Sequence, residues 1–312
     1  MKNVLITGGC GYLGSMLATQ LISKGLKVTV IDNLIFKKQT LKHLFINKNF
    51  TFHEIDVRDF ATMKKFYNKN DIIFPLAALV GAPLCEKNKK AAKEINEVSI
   101  LNMAKYLSKD QRVIYPNTNS GYGISEKQKI CDENTPLNPI SLYGITKKRS
   151  EEAILERENS ISLRLATVFG VGYRNRNDLL VNFFVYNALK FKKLEIFEPN
   201  FRRNYIHLRD IINAFEHCNT YFQKMKSNIY NVGLSKANLT KIELCKEIKK
   251  ILKETKIKII KNKSDPDKRD YFVSNKKIEE TGWKPNIRLQ DGIKELISAY
   301  SSFSSSDYDR NY

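Results

Sequence analysis

Tyr143 and Lys147 stand four residues apart in the run Tyr143-Gly144-Ile145-Thr146-Lys147, which follows Pro139 and Ser141 as a loop entering a helix does. Residues at that spacing share one face of a helix. An ammonium held beside a phenol lowers the phenol's pKa, so a phenolate can serve as a base near neutral pH. Upstream, Tyr115-Pro116-Asn117-Thr118-Asn119-Ser120-Gly121-Tyr122-Gly123 follows an apolar run and supplies hydroxyls. Thr118 is the candidate to hydrogen-bond a reacting alcohol, with Ser120 as the alternative, although Asn, Ser and Gly also favour plain turns. Together these residues suit removal of a proton from an alcohol as it is oxidised.

Such an oxidation needs a hydride acceptor, and the start of the chain offers a place for one. Gly8-Gly9-Cys10-Gly11-Tyr12-Leu13-Gly14 comes directly after the apolar run Val4-Leu5-Ile6 and opens a helical pattern. Asp32 closes the next apolar run, Val28-Thr29-Val30-Ile31. This is the layout of a βαβ unit that binds a dinucleotide. The glycines allow a tight turn, close approach of backbone to a pyrophosphate, and close packing of helix on strand. The helix N-terminus offers free N–H groups to the phosphates. Asp32 accepts hydrogen bonds from adenosine ribose hydroxyls and repels a 2′-phosphate, which favours NAD over NADP; Lys37 and Lys38 soften that preference. In this setting Lys147 can also hold the nicotinamide ribose.

The elements that must position these groups are legible as alternation. Val4–Thr7, Lys27–Asp32, Phe50–Glu54, Ile72–Leu76, Arg112–Tyr115 and Ser162–Leu165 read as buried parallel strands. Helical patterns lie between them near residues 12–24, 60–69, 90–107 and 143–157. Alternation of this kind implies an α/β, Rossmann-type doubly wound parallel sheet. Gly25 follows the first helix as a C-terminal glycine does. Residues 1–170 are expected to form the dinucleotide-binding domain, with strands and helices returning from the later chain. Residues 171–300 are expected to form mainly a smaller C-terminal substrate-binding lobe. There Thr240-Lys241-Ile242-Glu243 resembles a capping box opening a helix with Ile242, Cys245, Ile248 and Leu252 on one face. The polar, serine-rich residues 301–312 read as a flexible tail.

Composition narrows the function classes. The chain has 312 residues, 42% of them hydrophobic and 11% aromatic, which is ordinary for a globular protein. No apolar stretch approaches the ~18 residues that span a membrane. Met1-Lys2-Asn3 runs straight into the first strand, so a signal peptide is not expected. The five cysteines and four histidines lack ligand spacing, so reduced thiols, a cytoplasmic location and no metal are expected. The formal charge of +20 is unusual. Its lysines are spread along the chain and interleave with apolar positions between Lys241 and Lys263, as on a solvated surface. No motif supports nucleic-acid binding.

With these motifs the chain resembles the extended short-chain dehydrogenase/reductase family, and within it the NAD-dependent nucleotide-sugar epimerases and dehydratases. The resemblance reaches to about Tyr300. Gly8, Gly11 and Gly14, with Tyr12 and Leu13 between them, match its glycine loop. Asp32-Asn33-Leu34 matches its element at the adenosine ribose, and Asp56-Val57-Arg58-Asp59 the element beside the adenine. Leu76-Ala77-Ala78 matches the strand end near the nicotinamide ribose. Asn96 and Asn102 fall on the asparagines of a family helix, where Ser99 and Ile100 replace Gly and Thr. Thr118 takes the place of the catalytic Ser or Thr, and Tyr143 and Lys147 those of the Tyr-x-x-x-Lys pair. Arg203-Asn204-Tyr205-Ile206-His207 is similar to the segment whose arginine pairs with the nucleotide diphosphate, and Arg269 to a second such arginine. Arg174 and Arg176 are further candidates for the substrate groove.

The resemblance implies NAD as cofactor, a UDP- or GDP-linked sugar as substrate, and a homodimer. Oxidation at C4 of the sugar is the expected step. A 4-epimerase, the commoner outcome in the family, is preferred; a 4-dehydrogenase releasing the keto-sugar, for example from a GDP-linked mannose- or heptose-type sugar, is the alternative. Two departures matter. Asn119 and Ser120 stand where the 4,6-dehydratases and decarboxylases carry an acid, which argues against elimination of water. Thr167 stands where many relatives have asparagine. A non-catalytic relative binding NAD or RNA is disfavoured because both Tyr143 and Lys147 are present.

Overall fold

Val4, Leu5 and Ile6 are completely buried, and they point alternately to two different cores. A strand that is apolar on both faces needs a covering layer on each, and this chain supplies both. The computed structural model describes residues 2–124, 130–261 and 269–302. Its central sheet has seven strands: β1 (Asn3–Thr7), β2 (Lys27–Asp32), β3 (Phe50–Glu54), β4 (Ile72–Pro75), β5 (Arg112–Thr118), β6 (Ser160–Leu165) and β7 (Asn228–Val232). They are all parallel, in the order β7-β6-β5-β4-β1-β2-β3. The order reverses between β1 and β4, which opens a crevice at their carboxyl ends.

One face is covered by α1 (Tyr12–Ser23) and, from late in the chain, by a helix over Leu208–Thr220; Leu17, Leu21 and Phe215 meet Ile6 and Phe74 there. The other face is covered by α2 (Phe60–Tyr67), α3 (Ser99–Tyr106) and α4 (Leu142–Leu155), through Met63, Met103 and Ile154 against Leu5, Ile73 and Tyr115. After α1 the chain turns at Gly25, whose φ of +78° places it in the left-handed region. The N–H groups of Gly25 and Leu26 close the helix onto the carbonyls of Ile22 and Leu21.

Several boundaries shift by one or two residues from the sequence reading, and two differences bear on the site. β5 runs on through Thr118, because Asn117 and Thr118 pair with Arg164 and Leu165 of β6. The expected helix over 90–107 is found as Lys89–Lys93 and α3 with a π-helical turn over Glu94–Val98 between them, and an earlier helix, Ala82–Lys87, meets it at a first junction. Asn88 leaves helical geometry and breaks the first junction. Within the wide turn, the Asn96 side chain accepts from Leu79 N at 2.8 Å and donates to Leu79 O at 2.9 Å. A single π turn of this sort commonly marks a functional region.

Beyond β6 a second core forms around Phe169, Val185, Leu194, Tyr205, Leu244 and Ile293. It is built from a three-stranded sheet (Thr167–Phe169, Arg202–His207, Asn238–Thr240) and helices over Leu180–Phe191, Lys241–Ile251 and Leu289–Ser302. The capping box at Thr240 and Glu243 is formed, with Leu244, Cys245 and Ile248 buried behind it. Ser301 and Ser302 end the last helix; the rest of the expected tail lies outside the described residues. Among the described residues no helix is long and apolar enough to cross a membrane.

Candidate active site

The glycine loop sits where β1 meets α1, and its shape leaves no room for side chains. Gly8 has φ +70°, and a Cβ there would lie 2.6 Å from the Ala77 backbone nitrogen. A Cβ on Gly14 would lie 2.4 Å from the Gly8 carbonyl oxygen. Gly11 is the N-cap of α1 and adds no side-chain cap, and no acid stands in the first turn. The helix N-terminus is therefore left for an anion.

At the end of β2, Asp32 is held by two backbone donors, Cys10 N–H and Leu34 N–H, each at 2.9 Å. Burial pushes its carboxyl pKa up, while those donors and the charge of Arg174 act against the rise. Asn33 donates to Asp56 at 2.8 Å. Asp56 is gripped by the Arg58 guanidinium, which holds its pKa down at about 2.

α4 presents the catalytic candidates. Its N-cap Ser141 accepts from Gly144 N–H, fixing the start of the helix two residues before Tyr143. One turn on, the Lys147 ammonium is fully buried; it donates to the Pro116 carbonyl at 2.5 Å and lies 4.0 Å from the Tyr115 ring centre. Burial pulls its pKa down to about 7, with the Glu151 charge acting in the opposite direction. Thr118 ends β5 and donates to Ser120 Oγ at 3.0 Å, while Ser120 N–H donates back to Thr118 Oγ1. Arg269 donates to the same Ser120 hydroxyl at 2.5 Å, and Arg203 donates to the Arg269 carbonyl at 3.2 Å.

These groups line one cavity of about 400 Å³ that runs along the crevice. Gly8, Gly11, Tyr12, Leu13, Gly14, Asp32, Asn33, Val57, Leu76, Ala77 and Ala78 all face it. So do Thr118, Tyr143, Lys147, Arg174, Arg203 and Arg269. Asp56 and Asn96 are not among the lining residues: Asp56 braces Asn33, and Asn96 braces Leu79, each of which does line the cavity. Among the described residues the charged lining is four arginines (174, 176, 203, 269) and two lysines (38, 147) against two aspartates (32, 178). Such an excess of fixed cations suits polyanions. Arg176 and Asp178 form a buried two-pronged pair at 2.8 and 2.7 Å.

A model of the "NAD dependent epimerase/dehydratase family" matches residues 4–233. The chain belongs to this family. Like the family, it is NAD-dependent, and the glycine cradle, the uncapped helix end and the Asp32 carboxylate fit that dinucleotide. The chain is similar to CDP-paratose 2-epimerase of Salmonella typhi, 27% identical over 96% of this chain and 99% of that one. It also resembles the crystal structure of UDP-glucose 4-epimerase with UDP-glucose from Thermotoga maritima, at TM-score 0.80 and 25% identity over 96% and 99% of the chains. The fold is shared as well with dTDP-glucose 4,6-dehydratase of Bacillus anthracis in complex with NAD, at TM-score 0.82 and 21% identity over 97% of both chains. Members thus differ in nucleotide and in reaction while keeping the sheet and the cofactor.

Among the cavity or support residues that sequence reasoning missed, three carry charge or hold it. Phe36 lies under the Arg174 guanidinium, 4.0 Å from ring centre to Cζ. Asp178 pairs with Arg176 from two residues away and carried no motif. Glu151 lies below Lys147 on the same helix face, and its spacing of four residues was the available signal.

Proposed function

We propose that this protein oxidises a nucleotide-activated sugar at C4 and acts as a 4-epimerase. The observation that carries this is the single cavity lined by the glycine loop, by Thr118, Tyr143 and Lys147, and by Arg203 and Arg269. In this reading the Tyr143 phenolate takes the proton of the C4 hydroxyl, and the positive charge of Lys147 favours that phenolate. Thr118 hydrogen-bonds the hydroxyl and then the developing ketone. Arg203 and Arg269 hold the diphosphate, a task that suits a planar guanidinium. Arg174, lying over Phe36 within electrostatic reach of Asp32, is read with the adenosine end of the cavity instead. Bound NAD supplies the acceptor for the C4 hydride and, in an epimerase, its return to the other face.

The lining supports oxidation without dehydration. Among the described residues its carboxylates are Asp32 at the adenosine end and Asp178, already paired with Arg176. Asn119 is buried outside the lining and Ser120 is held by Arg269, so the edge of β5 offers no carboxylic acid to expel a hydroxyl. The Thermotoga structure, a UDP-glucose 4-epimerase, supports the choice of C4.

A second reading, a 4-dehydrogenase that releases the keto-sugar, draws support from the chain Arg269–Ser120–Thr118. A ketone that turns over must swing about its diphosphate, and this hydrogen-bonded wall narrows the space for that swing. Incubation with UDP- and GDP-linked hexoses and heptoses, without added NAD, separates the two: an inverted sugar marks the epimerase, and a free keto-sugar with reduced cofactor marks the dehydrogenase. Tyr143→Phe is expected to abolish either product while NAD still binds. Full turnover by that variant refutes both readings.

A further inference from the structure

Beneath the Tyr143–Lys147 pair lies a buried ion pair that the proposed chemistry leaves unused. Tyr143, Lys147 and Glu151 recur every four residues along α4, so they line one face. The Glu151 carboxylate is almost wholly buried and accepts five hydrogen bonds from two strands. Asn117 of β5 donates at 2.6 Å, Ser162 of β6 at 2.6 Å, and Arg164 of β6 from Nη2 at 2.7 Å and from Nε at 3.1 and 3.3 Å. Asn117 and Arg164 are direct neighbours in the parallel ladder, so one carboxylate spans the seam between β5 and β6.

Arg164 carries the linkage onward. Its Nη1 donates to the Tyr122 hydroxyl at 3.0 Å and to the Glu133 carbonyl at 3.2 Å. The Tyr122 hydroxyl donates within the pair Asn231 Oδ1 and Asp132 O, each at 2.8 Å. Tyr122 closes the short 3-10 turn that begins at Thr118. The network thus joins the helix bearing the candidate base to the turn bearing the candidate hydroxyl. Among the described residues, the titratable groups set against Lys147 are Tyr143 and Glu151 on α4 and Tyr115 on β5, with Arg164 of β6 behind Glu151; Glu97 of the π turn pairs instead with Arg149.

We propose that Glu151 is a positioning residue of this site. Clamped by Arg164 and Asn117, its carboxylate sets the height of α4 against the ends of β5 and β6. It also provides the buried negative charge that holds Lys147 as an ammonium beside Tyr143. Burial alone disfavours that ammonium, and Glu151 is the group whose charge opposes the burial. Lone buried ion pairs seldom raise stability over an apolar replacement, so a role in holding charge at the site accounts for what stability does not. This inference rests on the reading of Tyr143 as the base.

The test reads Tyr143 directly and needs no substrate. Phenolate absorbance is titrated on the full-length NAD-bound protein, and the Tyr143→Phe titration is subtracted to isolate Tyr143. In Glu151→Gln the Tyr143 phenolate is expected to emerge about one pH unit higher, a roughly tenfold loss of phenolate at neutral pH. Glu151→Asp is expected to recover most of it. Because Glu151→Gln strands a buried arginine, Glu151→Gln/Arg164→Met is titrated alongside: its unfolding midpoint should return toward wild type while the phenolate stays displaced. A Tyr143 titration identical in wild type, Glu151→Gln and the double variant overturns the inference. Displacement in Glu151→Gln that vanishes in the double variant also overturns it, leaving a purely structural pair. An ordinary phenol titration already in wild type defeats the reading of Tyr143 itself.

Discussion

Lys147→Met offers a test in which stability and activity should move in opposite directions. The ammonium of Lys147 is buried, and its pKa falls from 10.5 to about 7 in the folded chain. Between those values the unfolded chain holds a proton that the folded chain has given up. Raising the pH through that window removes the advantage of the unfolded state, so stability rises with pH. From the two pKa values, burying Lys147 costs about 4 kcal/mol at pH 7 and about 2 kcal/mol at pH 9, where the cost is that of giving up the proton the unfolded chain keeps. Methionine keeps the aliphatic stem and drops the charge. It also loses the hydrogen bond to the Pro116 carbonyl and the contact with the Tyr115 ring, together worth about 2 kcal/mol. Lys147→Met is therefore expected to be more stable than wild type by about 2 kcal/mol at pH 7 and roughly equal to it at pH 9. Turnover should be lost at both values. Urea unfolding of both proteins at the two pH values, with NAD saturating throughout, measures the difference; weaker cofactor binding by the variant shifts both points alike. A stability difference that does not change between pH 7 and pH 9 refutes the reasoning, because it means that Lys147 is not a buried cation.

Other expectations are more local. Gly14→Ala should cost about 1–3 kcal/mol and weaken NAD binding in equilibrium dialysis, since its Cβ meets Gly8 and Gly9 backbone. Gly25→Ala, which meets nothing within 4 Å but keeps φ +78°, should cost about 1 kcal/mol of strain and leave NAD affinity unchanged. Arg269→Ala should raise KM for the nucleotide sugar by about 10- to 100-fold, the loss of a charge-assisted hydrogen bond, whereas Arg174→Ala should leave that KM nearly unchanged and weaken NAD binding. Thr240→Ala removes the N-cap and its reciprocal bond with Glu243; calorimetry should show a loss of about 1 kcal/mol, or about 2 °C in Tm.

The first βαβ unit could be read from residues alone because its determinants are local. The glycines, the two apolar runs and Asp32 fall within one short span, and each answers to sterics or burial inside that span. The face shared by Tyr143 and Lys147 was legible for the same reason. What the sequence concealed depends on distant partners. β5 continues through Thr118 only because β6 pairs with it there. The wide turn at Asn96 follows from contacts with Leu79, from outside the helix, rather than from helix propensity. The segment Arg203–His207 resembled a family motif, yet nothing in it announced a strand beside Thr167–Phe169. Glu151 drew no expectation from the sequence; its burial is decided by Asn117, Ser162 and Arg164, which arrive from two other strands.

The sheet takes its outermost strand from Asn228–Val232, well after the chain has departed to build its second core. A fragment ending at Gly170 would therefore leave the whole length of β6 as a raw edge, with Leu163 and Leu165 ready to recruit a strand from another molecule. The dinucleotide half of this protein is not a detachable module: during synthesis it stays unfinished until some sixty further residues have left the ribosome, and attempts to express it alone should yield aggregate.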